Sequence, residues 1–135
     1  MRGRNQRSGL CRAYVAVTPG SGRVEGFYTL SSSCVRFGDL PEADRKRLPR
    51  YPLPVALIGR LAVDLTVQGR GLGRVLLLDA MARALRAADA TGLHAIEVRA
   101  KGARARASYV KFGFVDDDLH LYLPLAVVGK LGLPT

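Results

Sequence analysis

The run Gln68-Gly69-Arg70-Gly71-Leu72-Gly73-Arg74 alternates three glycines with other residues and leads straight into the leucine- and alanine-rich segment VLLLDAMARAL. Positions without a Cβ let an anion's oxygens reach backbone N–H groups, and the start of a helix adds a partial positive charge. Arg70 and Arg74 add full charges on either side. The chemistry on offer is therefore the holding of a phosphate. The pattern is neither of two common phosphate cradles. No Gly-Lys-Ser/Thr closes it, and its spacing differs from G-x-G-x-x-G, whose ribose-binding acid is also missing because Arg99 ends the next strand. A tight turn with no ligand is the alternative, but it does not explain three glycines in five positions flanked by two arginines and no acid.

Other chemically capable residues are more ambiguous. Arg99, Lys101, Arg104, Arg106 and Lys111 cluster between a strand and the following helix, where an RNA backbone could be held or where they could be a solvated face. His94 and His120 fall at strand starts and read as exposed edge residues. Glu25 and Glu97 could assist as bases, but single carboxylates on strands are usually solvated. Tyr14, Tyr28, Tyr51 and Tyr122 read as packing residues. Cys11 and Cys34 can form at most one bridge and read as small buried thiols with no metal-ligand company.

The elements that must position these groups follow from periodicity. Residues 12–18 (RAYVAVT) and 23–35 (RVEGFYTLSSSCV) are β-rich and flank Pro19-Gly20-Ser21-Gly22, which predicts a hairpin. Asp39 caps a short predicted helix over 41–48. Residues 55–63 (VALIGRLAV) are almost continuously apolar, as in a central strand covered on both faces, with Arg60 as the exception. After the glycine loop a helix runs to about Ala90 and closes at Gly92, with Asp79, Arg83, Arg86 and Ala90 as its less apolar stripe. A strand at 95–99 then gives strand, helix, strand and hence a right-handed parallel crossover. A helix over 103–112 ends at Gly113, and LHLYLPL (119–125) alternates as a last strand.

Composition bounds the classes. The chain has 135 residues, 48% of them hydrophobic, which is enough for one domain spanning 1–135 with a real core. No apolar run approaches the ~20 residues of a membrane span, and the Arg-rich start does not read as a signal peptide, so no membrane partner and a cytoplasmic location are expected. Twenty-one Lys and Arg against 11 Asp and Glu give a net charge of +10, which favours polyanionic partners.

At this point LAVDLTVQGRGLG (61–73) resembles the coenzyme A motif of the GNAT acetyltransferases, Q/R-x-x-G-x-G/A. YPLPVALIGRLAVD before it and ASYVKFGF (107–114) after it resemble the acetyltransferase toxins of bacterial toxin–antitoxin pairs, over about residues 12–125. The resemblance implies an α/β (α+β) fold. It has a mixed central sheet with an N-terminal antiparallel hairpin, a parallel strand–helix–strand crossover at the coenzyme A site, and a C-terminal helix and strand. It implies acetyl-CoA as co-substrate and no metal. The pantetheine arm would pair with backbone at Leu61, Ala62 and Val63, and Gln68, Gly69, Arg70, Gly71, Leu72, Gly73 and Arg74 would hold the phosphates. It makes Tyr109 the general acid toward the departing thiolate. A phenol of pKa ~10 suits a thiol of pKa ~8.5, and an α-amine acceptor of pKa ~7.7–8.0 demands no strong base. An aminoacyl-tRNA presents such an amine, with Arg99, Lys101 and Arg104 as candidates to hold the RNA.

Also implied are a small DNA-binding antitoxin with an acidic segment and, as an option, a homodimer. The family usually begins with a strand and one or two helices before the hairpin. Here the hairpin is reached by residue 12, so shortened N-terminal elements are expected, leaving the acceptor side open or completed by a partner. Acetylation of a protein or small amine is one competing function. A domain that binds coenzyme A or nucleic acid without turnover is another.

Overall fold

The computed structural model describes residues 2–5, 11–35, 53–116 and 121–131. Its elements are β1 (Arg2–Asn5), β2 (Cys11–Val17), β3 (Val24–Val35), β4 (Leu53–Val63), α1 (Leu72–Thr91), β5 (Ala95–Val98), α2 (Gly102–Phe112), β6 (Val115–Asp116), β7 (Leu121–Pro124) and α3 (Leu125–Gly129). Among the described residues seven strands form one sheet in the order β1-β2-β3-β4-β5-β7-β6, all neighbours antiparallel except β4 and β5.

The hairpin forms where expected, with Thr18 N–H donating to the Arg23 carbonyl across the turn. β4 and β5 are the expected parallel pair, joined by α1, which lies against β3 and β4. Tyr28, Ile58, Leu76, Met81, Ile96 and Leu121 form the fully buried centre between sheet and helix. Each such side chain contributes about 1.5–3 kcal/mol of burial. Gly92 ends α1, its N–H donating to the Ala88 carbonyl, and Gly113 ends α2.

Two features of β4 shape everything around the site. Two of its residues, Gly59 and Arg60, oppose the single residue Thr29 of β3. That bulge is held by the Arg60 N–H donating to Thr29 Oγ1 at 3.0 Å. A Cβ on Gly59 would stand 3.0 Å from the same oxygen, so only a bare position fits comfortably. Further on, β4 pairs with β5 over Val55–Ile58, opposite Ala95–Val98, and among the described residues no strand lies beside its β5-side edge from Gly59 to Val63. The sheet splits there.

Several expectations need correction. A strand does precede the hairpin: β1 pairs antiparallel with β2, Arg2 opposite Val15 through Asn5 opposite Arg12. Backbone bonding alone makes an edge strand, and a charged edge strand shows no apolar alternation. The last strand stops at Pro124, because Leu125 opens α3, which buries Leu125 and Val128. Glu97 is not solvated but 3% exposed, since β5 is flanked on both edges and covered on both faces. The less apolar stripe of α1 is partly internal. Asp79 accepts a hydrogen bond from the Tyr28 hydroxyl and another from Arg83 Nε at 3.0 Å, and the Arg83 guanidinium stacks 4.0 Å from the centre of the Tyr14 ring. The cysteines are free, but Cys34 is exposed and Cys11 half-buried. Tyr14, Tyr28 and Tyr122 do pack inside, whereas His94 is half-buried with its backbone held by Pro54 and Leu125. The predicted helix at 41–48, Tyr51 and His120 lie outside the described residues.

Candidate active site

The glycine loop begins where β4 ends. Asp64 caps a single 3-10 turn, Leu65–Val67, by accepting from the Thr66 N–H at 2.9 Å. Arg23 of the hairpin clamps Asp64 and Thr66 at 3.3 and 3.0 Å. Gln68 Nε2 donates to the Val63 carbonyl at 3.0 Å, which pins the loop to the strand end. The side chain of Gln68 is thus a brace for the loop. The sequence alone did not distinguish that task from direct phosphate contact.

Gly69 and Gly71 have φ of +85° and +81°, a conformation L side chains rarely adopt, and none of the described residues lies within 4 Å of the place where a Cβ would be. Gly71 is the N-cap of α1, and the helix's own bonding starts with Val75 N–H to the Gly71 carbonyl at 3.1 Å. The N–H groups of the first turn therefore point out along the helix axis into open space. Gly73 lies inside the helix, where an added Cβ would stand 3.8 Å from the Val63 side chain.

A continuous groove runs from this loop. Its first part, about 760 Å³, lies between Gln68, Gly69 and Gly71 on one side and Lys101 and Arg104 of the α2 start on the other. Leu61 and Ala105 carry the wall into a second part of about 550 Å³ beside Arg74, Ser108 and Tyr109. Arg74 holds its guanidinium 5.6 Å from the Phe112 ring centre. The third part, about 480 Å³, fills the split between β4 and the end of β5 and is lined by Leu61, Ala62, Arg60, Arg99, Lys101 and Tyr109.

Tyr109 thus borders both the second and third parts of the groove. Its ring packs edge-on to Phe114 at 5.4 Å, and burial pushes its phenol above the usual tyrosine value. The Gly113 and Phe114 N–H groups bond back to the Tyr109 carbonyl, so the helix end fixes this position.

The sequence-derived residues are brought together in part. Leu61, Ala62, Val63, Gln68, Gly69, Gly71, Leu72 and Gly73 share the first part of the groove with Lys101 and Arg104. Arg70 is exposed between the two left-handed glycines. The three basic candidates divide: Arg104 faces the glycine loop, Arg99 faces the split beside Tyr109, and Lys101 borders both. Arg106 pairs with Asp116 instead. Arg60 was not among the candidates, yet it lines the split. Its signal was a lone cation in an otherwise apolar strand.

Comparison with known proteins agrees with this geometry. Residues 10–116 match the acetyltransferase (GNAT) domain model. A tRNA-acetylating toxin from Mycobacterium tuberculosis is 51% identical over 110 residues, covering 79% of this chain and 66% of the relative, so the chain spans just under two thirds of that protein's length. The solved structure of AtaT complexed with acetyl-methionyl-tRNAfMet superposes with a TM-score of 0.84 at 30% identity, over 93% of this chain and 77% of the other. A tyrosine-to-phenylalanine mutant of the AtaT toxin, bound to the C-terminus of the antitoxin AtaR and to acetyl-CoA, gives 0.75 at 28% identity over 95% and 76%. A split sheet, a bare loop opening a helix and a tyrosine beside the split thus coincide with a domain match over most of the chain, which belongs to the GNAT acetyltransferase family.

Proposed function

We propose that this protein is an acetyl-CoA-dependent N-acetyltransferase of the toxin type, acting on the α-amine of an aminoacyl-tRNA, and that residues 1–135 form one domain of that kind. The observation that carries the reading is the position of Tyr109, which borders both the groove leading from the glycine loop and the split framed by Arg60 and Arg99. The solved complex of a relative with an acetylated, charged tRNA supports the acceptor class.

The residues present fit the co-substrate. Gly69 and Gly71 leave open space where phosphates would approach, and β4 offers an unpaired edge at Leu61–Val63. Backbone at Leu61–Val63 would hold the pantetheine arm, the first-turn N–H groups of α1 the pyrophosphate, and Arg74 and Arg104 would add charge. Bound there, acetyl-CoA supplies the acetyl thioester and a thiolate leaving group.

Tyr109 keeps its proton at neutral pH because burial disfavours the phenolate, so it stands ready as the acid for that thiolate. An α-amine of pKa ~7.7–8.0 is already partly unprotonated at neutral pH, which removes the need for a strong base. A net charge of +10 supports an RNA-borne acceptor over a free amine. Among the described residues no helix is long and apolar enough to cross a membrane. Charged tRNA as substrate puts the enzyme in the cytoplasm, together with a small DNA-binding antitoxin whose acidic segment would cover the basic groove. Incubation with acetyl-CoA and separate pools of charged tRNA and lysine peptides, read by mass spectrometry, tests the reading. Acetylated peptides with unmodified aminoacyl ends would replace it with a protein acetyltransferase.

A further inference from the structure

On the far side of the split from the glycine loop lies a second groove of about 580 Å³, with Cys11, Phe27, Thr29, Arg60 and Arg99 among its walls. Phe27, Gly59, Arg60 and Arg99 also line the cavity that holds Tyr109, so the two spaces meet across these residues. On β3, Phe27 and Thr29 alternate with Tyr28, whose hydroxyl bonds to Asp79 of α1, so they face away from that helix. The bulge at Gly59 and Arg60 breaks the alternation of β4 and presents Arg60 at this face. Both arginines are exposed, and none of the described residues that line the groove is a carboxylate.

An arginine set into an apolar strand by a dedicated bulge, lining the same groove as a second arginine just past a strand end, suits a ligand with a phosphodiester. The volume is that of a nucleotide-sized site, and Phe27 offers a ring for a base. Lys101 and Arg104 do not line this groove. Arg104 faces the glycine loop, where it would add charge for the cofactor's phosphates.

We infer that Arg60 and Arg99 form a substrate-side clamp for the phosphodiester of the 3′-terminal nucleotides of the acceptor RNA, with Phe27 in the same wall. The inference deepens the proposed function and rests on its RNA-borne acceptor. The clamp sets where the acceptor end lies relative to Tyr109 and separates two basic surfaces that look alike in sequence.

The test uses a fluorescent, uncharged RNA hairpin ending in single-stranded CCA, titrated onto the protein with coenzyme A present over a range of salt. Arg60→Ala and Arg99→Ala should each weaken binding roughly tenfold or more, the scale of a lost charged contact. Each should lower the log–log salt slope by about 0.7. Arg60→Lys should keep the slope while losing part of the affinity. Arg104→Ala should weaken acetyl-CoA binding and leave the RNA slope unchanged, and Arg86→Ala, an exposed residue of α1 outside these grooves, should change neither. An acetyl-CoA-induced rise in melting temperature that survives in Arg60→Ala and Arg99→Ala shows that they fold. Wild-type RNA affinity and slope in both variants would overturn the clamp, as would preference for a poly-glutamate peptide over the RNA. RNA binding that depends on both arginines, with no acetylation of charged tRNA, would keep the clamp and refute the proposed function. Acetylated tRNA with an unchanged KM in both variants would do the reverse.

Discussion

Replacing Gly71 by Asp tests the phosphate cradle, because the structure separates its two effects. Gly71 sits at φ +81° and ψ 7° with open space around its missing Cβ. A new side chain meets no atom, so the cost to the unliganded protein is that of a left-handed L-residue, about 1 kcal/mol. That is a fall of a few degrees in melting temperature. Gly71→Ala carries the same strain and no charge. The Asp carboxylate, by contrast, would face the phosphates. For one phosphate charge ~5 Å away, an effective dielectric between 80 and 20 gives a repulsion of about 1–3 kcal/mol. Two such charges weaken binding roughly 30-fold or more. Ligand at 100 times its Kd stabilises the wild type by about 2.7 kcal/mol. After a 30-fold loss the same concentration stabilises by only about 0.9 kcal/mol. Differential scanning fluorimetry with and without acetyl-CoA should therefore show a ligand shift that is smaller in Gly71→Ala, whose Cβ enters the space of the phosphates, and smaller still, about a third or less of the wild-type shift, in Gly71→Asp, whose carboxylate also repels them. An undiminished shift in the Asp variant would remove the phosphates from this loop.

Tyr109→Phe should keep the acetyl-CoA shift and lower turnover about 10²-fold, as measured by thiol release. In the wild type the rate should rise with pH as the α-amine loses its proton near ~8 and then hold to above the usual tyrosine value of ~10, because burial raises the Tyr109 phenol. A fall already under way at pH 9 that Tyr109→Phe lacks would contradict this. Tyr28→Phe should cost about 1–3 kcal/mol in chemical denaturation, since Asp79 loses a half-buried donor. Burial and Asp79 raise the Tyr28 phenol, so the folded state keeps a proton that the unfolded chain releases near ~10. Its stabilisation is complete below that pH and declines above it by up to about 1.4 kcal/mol per pH unit, a slope that should shrink in the Phe variant. Gln68→Leu removes the bond to the Val63 carbonyl. It should lower stability by about 0.5–1.5 kcal/mol and reduce, without abolishing, the acetyl-CoA shift.

The crossover was legible because Val55–Val63 and the α1 segment carry strong periodic patterns and because glycines mark where the chain turns. β1 was not legible: RGRN has no alternation, and its pairing is set by backbone bonds to β2. α3 was hidden because Leu125 closes the alternating run LHLYLPL and also opens the helix. The buried state of Glu97 depends on the neighbours of β5 on both edges, which a local pattern does not report. In the site, residue types at the loop pointed to an anion, but the different positions of Arg99, in the split, and Arg104, at the glycine loop, depend on where β4 leaves β5. Arg60 needed the bulge, and a bulge is a pairing between distant strands. Its local sign, one arginine in an apolar strand, was present.

Transfer of an acetyl group to the α-amine of charged tRNA, with Tyr109 as the proposed acid, can be read directly from the RNA. The direct measurement gives the purified protein radiolabelled acetyl-CoA and a pool of charged tRNA, digests the RNA, and quantifies N-acetylated aminoacyl-adenosine for the wild type and Tyr109→Phe. Label is expected on the aminoacyl end in the wild type and about a hundredth of it in the variant. Label confined to lysine side chains, or equal label on the aminoacyl ends from both proteins, would contradict it.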